Sequence, residues 1–102
     1  MAIKNRKKEE NAVFRFKKSI PVDYDMQGYI YFTSRLYDQL GRKEQERIIS
    51  LCKEAGGEYR QALFEFITGN VGATTVCSRH FLSQSTLERI VRRYYTLFAE
   101  ST

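Results

Sequence analysis

Cysteine, histidine and proline are all scarce in this chain, and each shortage argues against a class of protein. The two cysteines, Cys52 and Cys77, both lie in runs of helix-forming residues. A secreted scaffold held by disulfides is therefore not expected, and a reducing, cytoplasmic setting is. His80 is the single histidine. It stands three residues after Cys77, a spacing that begins a metal site, but one further cysteine and no further histidine remain to complete it. Nor does it have a nucleophile or carboxylate at a recognisable spacing, so an enzyme is not expected, and neither is a metal or cofactor. Gly56 and Gly57 are not followed by Lys-Ser or Lys-Thr, and they read as a helix stop rather than a phosphate loop. No apolar run approaches the roughly 18 to 20 residues that a membrane-spanning helix needs. The basic start (Lys4, Arg6, Lys7, Lys8) runs into Glu9, Glu10 and Asn11 where a signal peptide would turn apolar, so neither export nor membrane insertion is expected.

What the chain does have is enough apolar material for one core. Its 102 residues are 42% hydrophobic, 28% charged and 14% aromatic, the profile of a single folded domain. The formal net charge of +5 points to an anionic partner. That charge is uneven: residues 1–18 hold seven basic and two acidic side chains, residues 19–68 six and eight, and residues 69–102 four and two. A slightly acidic body between two electropositive ends is implied.

Residues 1–12 carry no apolar period and read as a flexible basic arm, either solvated or touching phosphate. Residues 13–102 read as one helical domain. Within 13–22, Val13, Phe14, Phe16, Ile20 and Val22 surround the sole proline, Pro21, and suggest an extended lead-in with room for a short strand. From Tyr24, the residues Met26, Tyr29, Ile30, Thr33, Leu36, Tyr37 and Leu40 recur at helical spacing with Phe32 off their face, and Gly41 is the expected left-handed stop. A second helix is expected over 43–55 with Ile48, Ile49, Leu51, Cys52 and Ala55 inward. A third is expected over 58–68 with Ala62, Leu63 and Phe66 inward, joined by Ile67. Two more follow over 73–81 and 84–99. The expected fold class is all-α, a small helical bundle with short connections.

The last two segments have the spacing of a helix-turn-helix at about 73–99, a short helix joined to a longer one through Leu82 and Ser83. Cys77 supplies the small residue where two such helices cross, and Leu82, Leu87 and Ile90 supply the apolar contacts. Ser83, Gln84, Ser85 and Thr86 then cluster where a serine caps free backbone N–H groups and the other side chains point outward. The chemistry suits duplex DNA. Gln84 matches adenine, Arg89 matches guanine, and Ser85 and Thr86 are sized for a phosphate or a base edge. Arg79, Arg92 and Arg93 are candidates for phosphate, while Glu88 needs either a cytosine amino group or Arg92 as a partner.

Residues 73–95, with Val76, Cys77, His80, Leu82, Ser83, Ser85, Thr86, Leu87, Ile90, Val91 and Tyr94, resemble the helix-turn-helix of sigma factor region four and of small regulators encoded by mobile elements of Gram-positive bacteria. The resemblance covers about a quarter of the chain. It implies promoter or operator binding through Gln84, Ser85, Thr86, Glu88 and Arg89, with Thr74, Thr75 and Arg79 near phosphates. Phe81 stands where such turns commonly carry glycine, and His80 where an aliphatic is usual. Nothing in the chain resembles the sigma region that melts the minus-ten element, so a complete sigma factor is not expected.

Two other readings stand beside this one. The short helix, tight turn and long helix also describe an ordinary corner of a bundle. The aromatic helix over 29–40, or the face over 94–98, would equally suit an interaction module docking on RNA polymerase, a relaxase or a second copy of this chain.

Overall fold

A computed structural model describes residues 14–102, and the expected basic arm over 1–12 lies outside the described residues. The described residues form five α-helices and no strand. These are α1 (Tyr24–Arg35), α2 (Arg42–Gly56), α3 (Arg60–Thr68), α4 (Ala73–His80) and α5 (Gln84–Glu100), with 3-10 turns at Tyr37–Gln39 and Gly57–Tyr59. The chain is all-α, and no helix among the described residues is long and apolar enough to cross a membrane.

The lead-in is a turn and not a strand. Ile20 N–H donates to the carbonyl of Lys17 (3.2 Å) and Val22 N–H to that of Ile20 (2.8 Å), a tight reversal centred on Pro21, whose fixed φ suits it. Gln27, buried on α1, holds this segment down. Its Nε2 donates to the carbonyls of Lys17 (2.9 Å), Ile20 (3.3 Å) and Val22 (2.8 Å), and its Oε1 accepts from the Lys17 N–H (3.0 Å). A glutamine thereby supplies the backbone partners that a neighbouring strand would have supplied.

Asp23 caps α1 by accepting from the N–H of Met26 (2.9 Å). The inward face of α1 is Gln27, Ile30 and Ser34, whereas Tyr29 and Leu36 are about half exposed, contrary to the apolar spacing. The helix also ends early, at Arg35 instead of running on to Leu40. Gly41 is not its left-handed stop but the extended N-cap residue of α2, with φ −70°. On α2 the inward set is Ile48, Leu51, Cys52 and Ala55, while Ile49 is exposed. Gly57 closes α2 at φ +57°, a conformation that suits the absence of a Cβ. On α3 it is Ile67 that is buried and Phe66 only partly so.

Helix α2 packs against α3 and α5, and α5 reaches α1, α3 and α4. Tyr94 and Phe98 of α5 are fully buried, which removes 94–98 as a free docking face. Each such aromatic contributes about 1.5–3 kcal/mol by burial. The Tyr94 hydroxyl meets the equally buried Ser34 hydroxyl at 2.7 Å, so its polar end is satisfied inside the core. Arg47 lies over the Phe98 ring (4.4 Å) and donates to the carbonyl of Phe98 and the hydroxyls of Ser101 and Thr102. It thus anchors the end of α5 through the carbonyls that helix termini leave free.

Candidate nucleic-acid interface

The corner formed by α4 and α5 takes its shape from a three-residue turn, Phe81, Leu82 and Ser83. Helix α4 stops because Phe81 adopts the left-handed conformation (φ 56°, ψ 52°), and the N–H of Leu82 then donates back to the carbonyl of Cys77 (3.1 Å). Phe81 is the only non-glycine residue with positive φ among those described. Its ring is 89% exposed, so nothing in the fold gains from its size. The turn has the geometry that glycine commonly supplies, formed here by a phenylalanine.

Ser83 opens α5. Its Oγ accepts from the N–H of Thr86 (3.1 Å) and donates to the Thr86 hydroxyl (2.9 Å), with Ser85 Oγ at 3.2 Å. Beneath this cap Leu87, Ile90 and Val91 are buried beside Val76 and Cys77 of α4. Burying that face directs Gln84, Ser85, Glu88, Arg89, Arg92 and Arg93 outward, and all six are exposed, with Thr86 half-buried. At 100° per residue, Ser85, Arg89 and Arg92 share one stripe about 10 Å long, with Glu88 on one flank and Arg93 on the other. Arg89, Arg92 and Arg93 form no ion pair among the described residues, so of the two partners considered for Glu88, a cytosine amino group or Arg92, the second is not engaged.

Thr74 and Thr75 are exposed in the first turn of α4. Gln84 donates from Nε2 to Thr74 Oγ1 (3.2 Å), tying the openings of the two helices together at the surface. Arg79 differs from Arg89, Arg92 and Arg93 because its Nη1 is paired with Glu65 of α3. The second oxygen of the same carboxylate, Oε1, lies 2.7 Å from Nε2 of His80. Glu65 thus clamps the end of α4 to α3, and it provides the carboxylate partner for His80 that no sequence spacing revealed. Among the described residues no group of three or more His, Cys, Asp or Glu is arranged to hold a metal ion. Both cysteines are buried, and burial pushes the Cys52 thiol up to about 12.

Comparison with family models, with curated proteins and with solved structures found no match to this chain. The chemistry of the corner itself therefore carries the functional reading.

Proposed function

We propose that the chain is a DNA-binding transcriptional regulator in which α4 and α5 act as a helix-turn-helix, with the N-terminal turns of α5 reading the major groove. The observation that carries this reading is the stripe of Ser85, Arg89 and Arg92, which is exposed and free of acidic partners at the capped start of a helix whose other face is buried. Gln84 and Arg89 match adenine and guanine edges, Ser85 and Thr86 reach phosphate or base, and Arg92 and Arg93 hold the backbone. Thr74 and Thr75 lie beside them, at the α4 end tied to Gln84. Arg79, already neutralised by Glu65, contributes least to phosphate binding. The likeness of residues 73–95 to sigma region four supports the same role, as a regulator of a mobile element.

The test is binding to duplex DNA selected from a random pool, followed across salt concentrations. Arg89→Ala should relax base preference, whereas Arg92→Ala should weaken all sequences alike and lower the salt slope by about 0.9. Equal losses with an unchanged slope would refute these roles.

One observation favours a second reading. Tyr24, Tyr29, Phe32 and Leu36 of α1 and its end are each about half exposed or more, an apolar surface on the side of a protein-interaction module. On that reading RNA polymerase or a second copy of the chain would be the partner. No DNA shift at low salt, together with a stable protein complex on size-exclusion chromatography, would favour it.

A further inference from the structure

A pocket of about 270 Å³ opens between the lead-in, α1, α3, the loop over residues 69–72, and α5. Its apolar wall includes Ile20, Ile67 and Val91, all buried side chains of the core. Among the described residues its charged lining is of one sign, since Arg35, Lys17 and Arg15 face it and no described aspartate or glutamate does. Arg35 spends one N–H on the carbonyl of Gly69 (2.8 Å). A guanidinium carries five donors in a planar fork, so most of its donors are left for another acceptor.

The decisive group is Tyr95. It is only 8% exposed, yet its hydroxyl has no hydrogen-bond partner among the described residues. No fully enclosed side-chain nitrogen or oxygen among those residues lacks a partner, so this hydroxyl is reached from the pocket that Tyr95 lines. Burial also holds its phenol above the usual range. A donor with no protein acceptor that opens into a largely apolar pocket beside a cation is a feature of ligand sites.

We propose that this pocket binds a small carboxylate with an apolar body, its oxygens taken by Arg35 and the Tyr95 hydroxyl and its body lying against Ile67 and Val91. The pocket's size suits a substituted benzoate or a short branched-chain acid. Charge-assisted bonds to a carboxylate in a partly dry site supply the affinity, and the wholly basic charge of the described lining residues supplies the selection for an anion.

The experiment is a ¹H–¹⁵N NMR titration of the full chain, in the absence of DNA, with benzoate and 3-methylbutanoate, and with benzyl alcohol as the uncharged counterpart. At least one acid should give saturable shifts at the amides of residues 69–72 and at Arg35 Nε, with benzyl alcohol about tenfold weaker or more. Tyr95→Phe and Arg35→Gln should each weaken the acid about tenfold. Because the Tyr95 hydroxyl has no partner in the free protein, Tyr95→Phe should leave the Tm unchanged or raise it, which separates lost binding from lost folding. No saturable shift with either acid up to roughly 20 mM, or undiminished binding by either variant, would overturn the assignment. The outcome is independent of whether α5 reads DNA.

Discussion

Replacing Phe81 by glycine should stabilise this protein, although it removes the largest side chain of the turn. An L-residue in the left-handed conformation costs roughly 1–2 kcal/mol, and Phe81 occupies it at φ 56° and ψ 52°. With the ring 89% exposed, truncation forfeits only about a tenth of a full burial term, or about 0.3 kcal/mol. Glycine adds unfolded-state freedom, an opposing contribution of about 0.4–1 kcal/mol. The balance favours Phe81→Gly by about 0.5 kcal/mol, equivalent to a rise of about 2–4 °C in a domain of this size. Phe81→Ala is the informative control, since it loses the same ring but keeps the Cβ and hence the backbone cost. It should lie within about 0.5 kcal/mol of the parent, below the glycine variant. Urea unfolding followed by circular dichroism, with the m-value unchanged, measures the order. A glycine variant no more stable than the alanine variant would show that the left-handed turn stores no strain.

Three further outcomes follow from the packing. Ser34→Ala should cost about 1–3 kcal/mol in chemical denaturation, because it strands the buried Tyr94 hydroxyl, and Ser34→Ala combined with Tyr94→Phe should recover part of that loss; an additive double mutant would refute the pairing. Gln27→Leu should speed amide exchange and proteolysis over residues 17–22 while α5 stays protected, since the side chain partners four backbone groups of the lead-in; uniform loss of protection would point instead to global unfolding. Stability should also fall in alkali. Burial raises the Cys52 thiol from 9.0 to about 12, and raises the Tyr94 and Tyr95 phenols, so the folded state keeps protons that the unfolded chain releases. Their contribution is intact below pH 9 and is lost as pH rises from about 9 toward 12, at about 1.4 kcal/mol per pH unit for each titrating group. A flat unfolding free energy between pH 9 and 11, measured by urea titration, would contradict it.

The helical reading succeeded where the signal was local. Helix α5 was legible from its serine cap and from Leu87, Ile90, Val91 and Tyr94, whose spacing fixes which side is inward and so leaves Gln84, Ser85 and Arg89 outward. The reading failed on α1, where counting apolar residues selected Tyr29 and Leu36 for the interior. The fold instead buries Gln27 and Ser34, because hydrogen bonds to the lead-in and to Tyr94 satisfy their polar atoms. Gly41 was misassigned for a related reason: glycine is compatible with both a helix end and an extended N-cap, and only the neighbouring helices select one.

By itself, then, the amino-acid order determined an all-α chain, the approximate positions of its helices and the outward polar stripe of the last one, because caps and a 3.6-residue period act over a few neighbours. The tertiary structure alone decided that Glu65 holds Arg79 and His80, that Ser34 answers Tyr94 across 60 residues, and that the Tyr95 hydroxyl faces a cationic pocket. Those pairings depend on which helix faces which, and that is set by packing the whole core at once.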